Sequence, residues 1–219
     1  MSDHLESSRV AELRLASSVD PWTRLGFVVR DSGATSLMSV ASLDFRFVDE
    51  APSSPESAVT GWCLVGSSSG PDSVDGIATT WTESSPLPSP PPHRIHVVAI
   101  DHIVIMTGSL DRTSDAIEGV LRAPRKRVRD AGGGVRQGFH RAGDIILEVV
   151  ERPDIAVDTP ASVWGVVFVV DDLDATVAWL GPDVVSTPRD AVQSGRRIAS
   201  IRREAGLGLP VALMTPHVR

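Results

Sequence analysis

Two apolar stretches each carry one side chain able to do chemistry: His102 in Ile100-Asp101-His102-Ile103-Val104, and Glu148 in Ile146-Leu147-Glu148-Val149. A neutral imidazole and a carboxylate brought together can hold a divalent metal such as zinc, nickel, manganese or iron; without a metal they can hydrogen-bond to each other as a half-buried pair. Composition removes other chemistries. Cys63 is the only cysteine, which excludes an internal disulfide and a Cys-rich zinc site. Lys126 is the only lysine, and Tyr and Asn are absent, so no Schiff-base lysine elsewhere and no tyrosine acid can be invoked. Gly66-Ser67-Ser68-Ser69-Gly70 matches the G-x-S-x-G pattern of a nucleophile elbow, but Pro71-Asp72-Ser73 follows where a helix is required, and the segment reads as linker. Gly132-Gly133-Gly134 reads as a hairpin turn. The basic run Arg122, Arg125, Lys126, Arg127 and Arg129 could attract an anionic substrate or form a solvated helix end and edge strand.

The elements that must position His102 and Glu148 follow from periodicity. Strand side chains alternate, so Ile100, His102, Val104 and Met106 are expected on one face, with Asp101, Ile103 and Ile105 on the other. Ile146, Glu148 and Val150 likewise share a face. A helix over 111–121 covering the opposite side would leave both His102 and Glu148 in the hollow of the sheet. Asp111 and Asp174 stand near helix starts, where a carboxylate can cap free N–H groups.

This arrangement is repeated. Asp101-His102-Ile103-Val104-Ile105 with Leu110-Asp111-Arg112-Thr113 aligns at an offset of 63 with Trp164-Gly165-Val166-Val167-Phe168 and Leu173-Asp174-Ala175-Thr176, and Ala142-Gly143 aligns with Ala205-Gly206. Each copy reads as a βαβββ unit, over 95–153 and 161–216. Residues 9–66 read as a degenerate third copy that places Glu12 opposite His102, and the Ser/Pro-rich stretch 67–94 reads as a linker. The fold class is therefore α+β, with repeated βαβββ units. Gln137 and Phe139 share one strand face, Arg136 and His140 the other; the pattern leaves open which side sees the hollow. Trp164 is read either as core or as a ligand-stacking residue.

Size and charge bound the function. The 219 residues suit one to two domains, and mean hydropathy near zero excludes a wholly disordered chain. A net charge of −7 is the wrong sign for a nucleic-acid-coating protein. No apolar run approaches the roughly 20 residues of a membrane helix. The expectation is a soluble cytoplasmic protein with no nucleic-acid or membrane partner.

With Ile100-Asp101-His102-Ile103-Val104 on a first strand, Ile146-Leu147-Glu148-Val149 on a last strand and Phe168-Val169-Val170-Asp171-Asp172-Leu173-Asp174 opening a second copy, the chain resembles the vicinal oxygen chelate superfamily of glyoxalase, bleomycin-resistance and extradiol dioxygenase relatives. The resemblance implies two units curled into a mixed-sheet cup with helices outside, and a metal held by one residue from the first and one from the last strand of each unit. His102 and Glu148 match that pattern, with Glu148 also the candidate base. The second unit departs from it: Gly165 takes the His position, and Val211 or, with a one-residue shift, Ala212 takes the Glu position. Glu12 or His140 would have to complete a shell. The expectation is a protein binding a small molecule in the cup, against Trp164, Gln137, Phe139 and Met106. It acts either as a divalent-metal-dependent lyase or isomerase on a substrate with neighbouring oxygens, or as a metal-free binding or sequestration protein. An uncovered N-terminal unit would give a reason to homodimerise.

Overall fold

The computed structural model describes residues 8–51, 56–66, 70–83 and 89–217. The chain opens with β1 (Arg9–Leu15), α1 (Asp20–Arg24), β2 (Arg30–Ser32), β3 (Thr35–Val40) and β4 (Leu43–Phe47), followed by β5 (Val59–Val65), β6 (Ser73–Val74) and β7 (Ile77–Thr82). These strands form one sheet in the order β2-β3-β4-β1-β5-β7-β6. Next come β8 (Val97–Thr107), α2 (Leu110–Leu121), β9 (Arg127–Gly132), β10 (Val135–Ala142) and β11 (Ile145–Glu151), and then β12 (Ser162–Val170), α3 (Leu173–Leu180), β13 (Arg189–Asp190), β14 (Arg197–Ser200) and β15 (Val211–Met214). They form a second sheet in the order β13-β14-β15-β12-β8-β11-β10-β9. Each βαβββ unit of this sheet pairs its first strand in parallel with its last, and β8 and β12 meet antiparallel at the centre.

The N-terminal half repeats the scheme. β1 pairs in parallel with β4 and antiparallel with β5, and β5 pairs in parallel with β7. Two expectations are corrected here. The run Gly61 to Val65 is not the last strand of the first unit but part of the first strand of a fourth, abbreviated one. The stretch 67–94 is not all linker, since it contributes β6 and β7. The Ser and Pro around Ile77-Ala78-Thr79-Thr80-Trp81-Thr82 hide a short β-branched strand whose Ile77 and Thr79 turn inward, with Trp62 Nε1 donating to Thr79 Oγ1 at 2.8 Å. Residues 67–69, including Ser68 of the G-x-S-x-G pattern, and 84–88 lie outside the described residues.

Among the described residues no helix separates β5 from β6, and α2 of the other sheet packs there instead. Asp75, in the β6–β7 turn, accepts from Arg112 Nε at 2.7 Å and from Thr113 Oγ1. The faces of the two sheets turned away from the hollow of the second share a single apolar core. Phe168 of β12 packs edge-on to Phe45 and beside Phe27, and Trp22 lies against Phe27, Phe45 and Phe47. The first unit thus has its β1 edge filled by β5 and an apolar face buried within the chain.

The helix caps also differ from expectation. Ser109 Oγ and Asp172 Oδ1 accept the N–H groups of Arg112 and Ala175, while Asp111 and Asp174 pair instead with Arg125 and Arg197. Among the described residues no helix is long and apolar enough to cross a membrane.

Candidate functional site

The register of β8 against β12 slips between His102–Val167 and Ile100–Phe168, leaving Asp101 as an extra residue. A β-bulge of this kind breaks the alternation of faces. Ile100 consequently joins Ile103 and Ile105 in the core rather than sharing the face of His102, and Asp101 can reach round to its neighbour. His102 Nδ1 lies 2.8 Å from Asp101 Oδ2, and Arg196 Nη1 donates to Asp101 Oδ1 at 2.5 Å. Arg196 is held in turn by Thr215 O, which accepts from its Nε at 2.8 Å, and its side chain is only 1% exposed. Burial pushes the Asp101 carboxyl up, but the hydrogen bonds from His102 and Arg196 outweigh it and hold the group down at about 2.

An ionised Asp101 makes His102 Nδ1 the donor and turns Nε2 toward the hollow. There Nε2 meets Glu148 Oε2 at 3.1 Å. The two come from adjacent parallel strands, two positions apart in register, since Ile146 stands beside His102 and Glu148 beside Val104. Gln137 Nε2 donates to the other carboxylate oxygen, Oε1, at 2.7 Å. The arrangement can hold one proton between imidazole and carboxylate, with Asp101 and Arg196 fixing the ring from behind.

Asp101, His102, Gln137 and Glu148 line a cavity of about 210 Å³ together with Arg127, Arg129, Phe139 and the segment Arg189–Gln193, while Arg196 stays behind Asp101. The sheet curls so far that residues of both its edge strands, β9 and β13, reach this one hollow. Gln137 and Phe139, whose face was open from the sequence, turn into it. The alternate residues of β10 turn the other way: a Cβ at Gly138 would meet Leu110 of α2, and His140 is buried with Nδ1 at 2.8 Å from Ala123 O and Nε2 at 3.0 Å from Ser114 Oγ. Burial pushes the His140 imidazole down, and it is a core residue rather than a spare ligand.

Three expected site residues are not brought to this cavity. Met106 lies four positions along β8 from His102, roughly 13 Å at the rise of a strand, and lines a separate hollow with Arg152 and Pro160. Trp164 is the extra residue of a second register slip, between Val163 and Gly165, and faces a cavity of about 640 Å³ with Ile201, Leu207 and Leu209. Glu12 lies on the other sheet and accepts from Arg46 Nη2 and Nε at 2.7 and 2.8 Å. Its alignment with His102 nevertheless has a structural counterpart. Glu12 and Arg46 stand two register positions apart on β1 and β4, as His102 and Glu148 do on β8 and β11. The residues missed from sequence are Asp101, Arg196 and Arg189. Nothing local marks a bulge at Asp101 or links it to Arg196.

No family model and no curated protein matches the sequence. Among solved structures, the whole chain superimposes on a mutant of 4-hydroxymandelate synthase from Streptomyces coelicolor with a TM-score of 0.67, covering 97% of this chain and 94% of that one at 14% identity. The chain has the vicinal oxygen chelate fold. Methylmalonyl-CoA epimerase from Mycobacterium tuberculosis is similar over 58% of this chain and 93% of its own, at 18% identity and a TM-score of 0.48. A variant of the Streptomyces coelicolor methylmalonyl-CoA epimerase, in complex with 2-nitronate-propionyl-CoA, is similar over 57% of this chain and 99% of its own, at 25% identity and a TM-score of 0.44.

Within the vicinal oxygen chelate fold, the residues present can be tested against a chelated metal. The pairing of Val104 with Glu148 and of Val167 with Ala212 makes Ala212, not Val211, the counterpart of Glu148. The counterpart of His102 is Gly165, where a Cβ would stand 2.6 Å from the Pro210 carbonyl oxygen, so the backbone itself denies that position a side chain. Gly61 of β5 is constrained in the same way against Ala78. Two donors from one unit remain, engaged with each other, and among the described residues no group of three or more His, Cys, Asp or Glu is placed to hold a metal. The residues do not fit a resident chelated ion.

Proposed function

We propose that the protein binds a small molecule in the cup of its second sheet without a resident metal, the reading expected for a binding or sequestration protein. The observation that carries it is Gly165, whose crowded backbone leaves the second unit without a donor at the position equivalent to His102, while His102 and Glu148 satisfy one another. The cavity of about 210 Å³ lies below the roughly 300–1,000 Å³ of pockets for drug-sized ligands, so its occupant is smaller than those. A second reading, a metal-dependent lyase or isomerase, would rest on the one donor pair the cup retains, His102 and Glu148 with Asp101 orienting the imidazole, and would require an ion to displace their mutual contact.

Elemental analysis of protein purified without a chelating tag separates the two. The expected result is metal far below one ion per chain and no rise in melting temperature on adding zinc, nickel or manganese. Near-stoichiometric metal that is lost in His102→Ala would overturn the metal-free reading and support the second.

A further inference from the structure

We propose that the molecule bound in the cup is a small oxyanion, a carboxylate or phosphate, that also carries an O–H or N–H donor. This deepens the preceding proposal and rests on it. Arg127 and Arg129 lie two residues apart on the edge strand β9, opposite Phe139 and Gln137 of the cup floor, so both lean over the same cavity. The Arg127 guanidinium sits 4.6 Å above the Phe139 ring. Neither guanidinium is paired with a carboxylate among the described residues, and neither is that of Arg189, which reaches the cavity from the opposite edge of the sheet. The contrast with nearby arginines is sharp: Arg125 and Arg136 are taken up by Asp111 and Glu151, and Arg196 by Asp101.

The negative groups of the site do not cancel this charge. Asp101 is neutralised by Arg196, Glu148 is engaged by His102 and Gln137, and Asp190 alone shares the rim with the three free guanidinium groups. A planar guanidinium suits a carboxylate or phosphate geometrically as well as in charge.

Gln137 supplies the second requirement. Its Nε2 is committed to Glu148, which fixes the amide the other way round and leaves Oε1 as a buried acceptor without a donor. A buried acceptor left unpaired is costly, and a ligand hydroxyl or N–H aimed at it restores the missing bond. Such a site discriminates strongly against an analogue lacking that donor.

The test is an NMR titration of the full-length protein, following the His102 ring and the Gln137 side-chain amide, with matched probes: lactate against propionate, and glycerol 3-phosphate against propyl phosphate. The hydroxylated member of at least one pair is expected to bind about ten-fold more tightly, with an affinity that falls as salt rises. The double variant Arg127→Gln/Arg129→Gln should weaken both members by about ten-fold or more, while Gln137→Met should reduce the hydroxyl preference to within about two-fold and keep the anion bound. Which pair responds distinguishes carboxylate from phosphate. Equal binding of hydroxylated and plain probes, or binding unaffected in the arginine variant, overturns the proposal. If instead a neutral fragment such as phenol shifts the His102 resonances and no anion does, this proposal fails while the cup-binding reading stands. If no probe shifts the cup and the protein carries stoichiometric metal, both fail.

Discussion

Arg196 and Asp101 are 95 residues apart in the chain and 2.5 Å apart in the fold, and their ion pair holds the imidazole of His102 from behind. The guanidinium is almost wholly buried, so its charge depends on Asp101 for compensation. Breaking such a pair by removing one partner typically costs several kcal/mol, because the remaining charge stays buried.

The pair makes a pH prediction. The Asp101 carboxyl is held at about 2 in the folded protein, below its ordinary value of 3.8. A lowered carboxyl stabilises the fold above its unfolded pKa, and the contribution disappears as pH falls through the folded value. A shift of this size corresponds to about 2 kcal/mol, present at pH 5 and above and lost between about pH 4 and pH 2. Urea unfolding at pH 7, 4 and 2.5 should show Asp101→Asn destabilised by about 3 kcal/mol at pH 7, with the gap to the parent protein narrowing at pH 2.5. A constant gap across that range would contradict the assignment.

Gly165 predicts the outcome of an obvious engineering step. Introducing histidine there, to restore a second metal donor, places a Cβ against the Pro210 carbonyl oxygen and should destabilise the protein by about 1–3 kcal/mol without creating a chelate site. Differential scanning fluorimetry of Gly165→His with and without zinc reads both effects. A melting temperature at the parent value, raised further by zinc, would show that the backbone yields more readily than argued.

The shared core predicts cooperative unfolding. Phe168 is fully buried against Phe45 of the other sheet and Phe27 of the loop leading into β2, and truncation to alanine should cost about 3–5 kcal/mol. Because the lost contacts bridge both sheets, the variant should still unfold in one transition. Trp22 and Trp62 report on one sheet and Trp164 and Trp179 on the other, so single-tryptophan versions followed by fluorescence should give coincident midpoints. Separate midpoints would show that the halves are energetically independent.

The sequence by itself determined the repeated βαβββ scheme of 95–216, the pairing of His102 with Glu148 and the absence of ligating side chains at the equivalent positions of the second unit. Each of these is written in local periodicity or in one internal alignment, and local pattern survives folding where neighbouring strands bury one face. The abbreviated fourth unit was not legible, because β7 is short, rich in threonine and surrounded by Ser and Pro, and it becomes a strand only through pairing with β5. The tertiary structure alone decided what surrounds His102. A one-residue bulge turned Asp101 to the side of its neighbour, a second slip sent Trp164 to another cavity, and the curl of the sheet brought Arg127 and Arg189 from opposite edges to one hollow. Bulges and curl arise from long-range pairing and packing between strands far apart in the chain, and alternation along any single strand carries no trace of them.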